Sequence, residues 1–150
     1  MNVEIIGIVL TLIGVFAGVY QLYVSRQVEL GNFLLRLDDM FKAHQEVHLA
    51  LRPGGKWSTD EEAKQPQTTE DWAAIEAYMG LFERIKILID KRIIDADIVR
   101  RLYGYRLANI VANRSIRQAK LIDEKDSWQD FIELCALLNI DSEGVCDGNQ

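Results

Sequence analysis

Proline is scarce in this sequence: of 150 residues only Pro53 and Pro66 are prolines, and both stand in one polar stretch. The long proline-free segments around them are rich in Leu, Ile, Ala, Glu, Arg and Lys, which points to an all-α fold. Cysteine is nearly as rare. Cys135 and Cys146 form no ligand or redox motif, and such a pair in a cytosolic domain is usually reduced. Cys135 stands among apolar residues and reads as core, whereas Cys146 lies in a polar tail.

Histidine is limited to His44 and His48, one helical turn apart, a spacing that can hold two zinc ligands. The metalloprotease pattern needs Glu directly after the first His, where Gln45 stands here, and no third histidine completes a site. Both lie on an apolar stripe, so they read as core or interface histidines. Gly54-Gly55-Lys56 resembles a phosphate loop only superficially, lacking the first glycine, the preceding strand and the following helix. No Ser/His/Asp set and no singled-out carboxylate pair exists. The expectation is a protein that is not an enzyme, with no catalytic residue, metal or cofactor.

Charge is missing altogether from Ile5 to Ser25, a run of 21 residues. As a helix it is about 30 Å long, the thickness of a bilayer's hydrocarbon core. Tyr20 and Tyr23 fall where an interfacial aromatic belt sits. A cleaved signal peptide needs a basic n-region and a shorter apolar core; here the flank is Met-Asn-Val-Glu. No Lys or Arg precedes the run, while Arg26, Arg36 and Lys42 follow it. The expectation is a transmembrane helix over residues 1–26, N-terminus outside, with the rest in the cytoplasm.

The residues of this segment that are not oily are Glu4, Gly7, Thr11, Gly14, Gly18, Gln21 and Ser25, spaced 3, 4, 3, 4, 3, 4. At 100° per residue they share an arc of about 100°. Gly14 and Gly18 form a GxxxG pair that allows close backbone approach. Two readings follow. The seven residues make a packed homodimer seam, or they make the seams of a larger oligomer around a narrow path. In the second, Glu4 rings the outer mouth and Gln21 and Ser25 the inner one.

The soluble part is expected over 27–140, with a flexible acidic tail at 141–150. A stalk helix (27–51) carries the stripe Leu30, Phe33, Leu34, Leu37, Phe41, His44, His48 and Leu51, with Gly31 allowing a kink. Residues 52–69 read as a long loop, mobile or an interaction surface. Thr68 with Asp71 caps a helix over about 70–91, with Trp72, Ile75, Met79, Phe82, Ile85 and Leu88 or Ile89 inward. Asp95 caps another over 96–113, with Ile98, Leu102, Tyr105, Ile110 and Val111 as its stripe. A short helical piece covers 115–121. Ser127 with Asp130 opens a last helix over 127–139, with Trp128, Phe131, Ile132, Cys135 and Leu138 inward. Together these make a small bundle.

Between Arg84 and Lys120 ten basic residues face three acidic ones, giving +7, while residues 1–83 carry −6 and residues 121–150 carry −7. In one reading the basic helices pair with the acidic C-terminus and with other protomers. In the other, Arg100, Arg101 and Arg106 contact a phosphate-bearing ligand and Tyr103 stacks on it.

Phe82-Glu83, Ile94-Asp95 and Tyr103 to Tyr105, within Met79 to Asn113, resemble a family of uncharacterised single-span bacterial membrane proteins. In that family glycine often precedes the hydrophobic-Asp turn, where Lys91-Arg92 stand here. The layout is also similar to the small membrane effectors of antiphage systems, the Hailong-type channel subunits. This resemblance implies a bacterial inner-membrane channel, a tetramer or similar. It would be opened by a nucleotide or oligonucleotide signal from a partner nucleotidyltransferase. The alternative expectation is a membrane-tethered adaptor whose helical bundle recruits a protein partner.

Overall fold

The computed structural model describes residues 3–58 and 65–140, with the side chains at 3–6, 9 and 10 outside that description. All regular structure among the described residues is helical. The elements are α1 (Val3–Ala43), α2 (Gln45–Leu51), α3 (Thr69–Asp90), α4 (Ala96–Ala112), a short α5 (Arg114–Ile116) and α6 (Gln129–Leu137). A π-type turn (Arg117–Ile122) and a 3-10 turn (Lys125–Ser127) join α5 to α6. The seam position Glu4 has its side chain outside the description. Residues 59–64, the tail at 141–150 and Cys146 lie outside the described residues. The chain divides into two compact units, Met1–Asp39 and Met40–Gln150.

In the first unit α1 passes through Gly31 without interruption, and every side chain from Thr11 to Glu29 is exposed. No helix among the described residues is long and apolar enough to cross a membrane. From Thr11 onward the apolar residues of α1 are diluted by Gln21, Ser25, Arg26 and Gln27. The side chains of Ile5, Ile6, Val9 and Leu10, which complete the uncharged run, are outside the description.

The stalk expected over 27–51 is not one helix. It breaks at His44, whose backbone sits at φ −108°, ψ 24°, before α2 starts. A straight helix would carry His44 and His48 inward behind Phe41. After the break Val47, Ala50 and Leu51 are buried and both histidines are half-buried.

The polar stretch after Leu51 is not wholly a surface loop. The Trp57 amide donates to the Ala50 carbonyl at 2.8 Å, and Trp57 and Ser58 are buried. Gly55 makes this reversal possible: a Cβ there would run into the Leu49 and Ala50 carbonyl oxygens. Farther on, Thr68 caps α3 as its sequence implies. Its Oγ1 accepts from the Asp71 amide at 3.0 Å, and Asp71 Oδ2 accepts from the Thr68 amide at 3.3 Å. Asp95 caps α4 by accepting from the Asp97 amide at 2.7 Å. Ser127 does not cap α6; it sits in the 3-10 turn, and Trp128 occupies the cap position without a side-chain hydrogen bond.

The core of the second unit is aromatic. Phe41 stacks on Tyr103 with ring centroids 4.5 Å apart and meets Phe82 at 5.2 Å and Tyr78 at 6.0 Å edge-on. Phe131 of α6 continues the cluster, 6.1 Å from Phe82. Cys135 is buried in this core. On α4 the stripe differs from the sequence expectation: Val99, Tyr103, Leu107, Ile110 and Val111 are buried, while Leu102 and Tyr105 are 45% and 54% exposed.

Arg92 closes the α3–α4 turn with φ +56°, and the following Ile93 amide reaches back to the Leu88 carbonyl at 2.9 Å. A left-handed conformation strains any residue with a Cβ, and this helix-end position favours glycine. Arg92→Gly is therefore expected to stabilise the unit by about 1 kcal/mol, read as a higher denaturation midpoint at unchanged slope. A lower midpoint would refute the strain.

Candidate functional site

Two regions carry the residues singled out by the sequence, and each belongs to a single unit. The first is one face of α1. Gly7, Thr11, Gly14, Gly18, Gln21 and Ser25 are all exposed there. A concavity of about 370 Å³ is lined by Gly18, Gln21, Leu22 and Ser25. The Thr11 hydroxyl donates to the Gly7 carbonyl at 2.9 Å, so it needs no partner outside its own helix. Gln21 differs, because its amide carries two donors and an acceptor oxygen. A Cβ built on Gly7, Gly14 or Gly18 would meet nothing within 4 Å. Packing among the described residues thus gives no reason for glycine at these three places. Each costs a helix interior roughly 1 kcal/mol relative to alanine.

The second region is α4 and its neighbours. Arg100, Arg101, Tyr103 and Arg106 do not form one surface. Arg100 is exposed and paired with Asp97 at 2.9 Å, and Arg101 is exposed on another side of the helix. Tyr103 is 3% exposed and packed on Phe41, so its ring is not available to stack on a ligand. Inward helical phase decided this, since residues 99, 103, 107 and 110 share one face.

Arg106 instead joins residues that the sequence reading placed elsewhere. Its guanidinium is half-buried over the Phe41 ring, 5.1 Å from the centroid, and over Tyr105 at 5.5 Å. Its Nε donates to the Tyr105 hydroxyl at 3.0 Å and its Nη1 to the Tyr78 hydroxyl at 3.4 Å. Burial opposes the charge, but the two phenol oxygens outweigh it and hold the pKa above the ordinary guanidinium value. His48 stands edge-on to Tyr105 at 5.6 Å, and His44 lies 6.0 Å from Tyr78. Burial, then the charges of Arg106 and Arg52, push His48 below its ordinary value. Among the described residues no group of three His, Cys, Asp or Glu side chains could hold a metal. The sequence signals for this cluster were the His44/His48 spacing, which suggests zinc, and the basic run that holds Arg106; neither points to Tyr78.

Other basic side chains are committed to ion pairs. Lys86 is buried with Asp90 at 2.7 Å and Glu133 at 2.9 Å. Lys120 is buried with Glu76 at 2.6 Å and Glu124 at 2.9 Å, under the Trp72 ring. Hydrogen bonds donated to Asp90 and Glu133 raise the pKa of Lys86; burial opposes the charge of Lys120, and the bonds it donates to Glu76 and Glu124 overcome it. Glu124 and Glu133 belong to the acidic segment 121–150, so Lys86 and Lys120 pair with it inside one chain. No protein-family model, no curated protein and no solved structure matches the chain.

Proposed function

We propose that this chain is a homo-oligomeric, single-span membrane protein. Its α1 helices meet along Glu4, Gly7, Thr11, Gly14, Gly18, Gln21 and Ser25, with residues 40–150 on the cytoplasmic side. The observation that carries this reading is the open space at Gly7, Gly14 and Gly18. Three glycines on one face, unexplained by packing among the described residues, suit the close approach of a neighbouring helix. The uncharged run of 21 residues supports a bilayer as the solvent, and Arg26, Arg36 and Lys42 support the orientation. In hydrocarbon the Gln21 amide needs a polar partner, which its own copy in a neighbouring helix supplies.

In its fuller form this reading is an ion-conducting channel, with Gln21 and Ser25 at the inner mouth, acting as an antiphage effector as the resemblance implies. A membrane-tethered adaptor is the second reading. The exposed Leu102 and Tyr105 favour it, because apolar side chains on the outer face of α4 suit a protein partner.

Replacing Gly14 and Gly18 together with Leu tests the seam. In liposomes the wild-type chain is expected to crosslink into a discrete oligomer and the double variant to remain a monomer. Unchanged oligomer size in the variant would overturn the seam. Ion flux through the reconstituted wild-type oligomer separates the channel from the adaptor.

A further inference from the structure

The spacing that aligns Gly7, Thr11, Gly14, Gly18, Gln21 and Ser25 does not stop at Ser25. Counting on in the same alternation of 3 and 4 gives Val28, Asn32 and Leu35. Gly7, Gly14, Gln21, Val28 and Leu35 thus stand seven apart, as do Thr11, Gly18, Ser25 and Asn32. The next two positions are Asp39 and Lys42, which end the apolar stretch. Helix α1 runs unbroken from Val3 to Ala43, so the register crosses Arg26 and Gly31 without a shift. Val28 and Leu35 are 58% and 66% exposed, more than any other large apolar side chain described beyond Ser25. Asn32 between them is exposed too. At 100° per residue, Leu30, Phe33, Leu34 and Leu37 fall on the opposite side of the helix, and these are partly or fully buried. Packing among the described residues therefore covers one side of this stretch and leaves the Val28 and Leu35 side open. Exposed Glu29 and Arg36 flank the open side, which suits water rather than hydrocarbon.

We propose that the seam continues past the membrane as a parallel coiled-coil stalk between copies of this chain, with Val28 and Leu35 in its core and Asn32 fixing its register. The stalk rests on the self-association of α1 proposed above. Copies inserted in one orientation lie parallel, so one register serves span and stalk alike. A seven-residue repeat drifts about 20° per repeat around a straight helix, and a left-handed supercoil takes up the drift. In such a coil each side chain of the repeat enters a hole formed by four residues of the facing helix. The concavity on α1 has that outline, since Gly18, Gln21, Leu22 and Ser25 stand at i, i+3, i+4 and i+7. A polar Asn at one core position of a parallel coil lowers stability and selects register and subunit number. Val28, Asn32 and Leu35 are too few for an isolated coiled coil, but the spans hold the stalk segments together at high effective concentration.

Sedimentation equilibrium of the full chain in density-matched detergent micelles tests the stalk. Val28→Ser combined with Leu35→Ser is expected to weaken association roughly tenfold or more, because two core side chains are lost. Asn32→Leu is expected to tighten it, since a buried amide gives way to an apolar side chain. Gln27→Leu adds similar apolar surface on another side of α1 and is expected to change nothing. All four residues are exposed in the single chain, so helical content by circular dichroism should stay at the wild-type level and separate lost association from lost folding. The stalk is overturned if the Val28→Ser, Leu35→Ser chain associates as the wild type does, or if Gln27→Leu tightens association as much as Asn32→Leu. A monomeric wild type overturns stalk and seam together. The seam alone fails if Gly14→Leu with Gly18→Leu keeps wild-type association while Val28→Ser with Leu35→Ser loses it.

Discussion

Phe41→Ala is expected to lower the stability of the helical unit by about 3–5 kcal/mol, the range for truncating a fully buried phenylalanine. Phe41 is 1% exposed and stands where α1, α3 and α4 converge. Its ring touches Tyr103, Phe82 and Tyr78, and the Arg106 guanidinium rests over it. Truncation leaves a void that three rings from two other helices cannot fill without leaving their rotamers. It also removes the surface on which Arg106 lies. The change should move the urea midpoint far down at constant slope, and Phe41→Leu should lose less because it keeps most of the volume. A loss under about 1 kcal/mol in Phe41→Ala would mean that the cluster collapses easily and is not the centre of the core.

Asn113→Ala is expected to cost about 2–4 kcal/mol, from a lost cap and an orphaned carbonyl. The side chain is 1% exposed and works at both ends. Its Oδ1 accepts from the Ile116 amide at 2.9 Å, capping α5, and its Nδ2 donates to the Trp57 carbonyl at 2.8 Å. This second bond ties the polar stretch after α2 to the turn after α4. Without it the Trp57 carbonyl is left without this donor in a buried place. Asn113→Ser keeps an acceptor for the cap and should fall between the two. Thermal or urea unfolding measures both. An alanine variant as stable as the wild type would show that Trp57 does not depend on this bond.

The helical elements were legible because their signals are local. Thr68-Asp71 and Asp95 mark helix starts through side chains that satisfy their own helix's amides, and no distant residue takes part. Ser127 misled for a related reason. Its spacing to Asp130 fits a capping pair, but Ser127 belongs to the 3-10 turn Lys125–Ser127 and α6 starts only at Gln129. The arginines of α4 misled differently. Sequence places Arg100, Arg101, Tyr103 and Arg106 within seven positions, yet helical phase points one into the core and separates the rest.

By itself the sequence determined the all-helical class, the main caps, the uncharged run and the alignment of small and polar residues along one side of α1. Each depends on neighbours within a few positions, where helix geometry is the same in any fold. Tertiary structure alone decided which of two apolar stripes of α4 turned inward. It broke the first helix at His44, drew Trp57 into the core and set Arg106 among Phe41, Tyr78 and Tyr105. The physical reason is that burial energy is paid out by partners distant in the chain. Val99 and Tyr103 or Leu102 and Tyr105 could equally have faced a core, and only the position of Phe41 and its neighbours made the first pair the better fit.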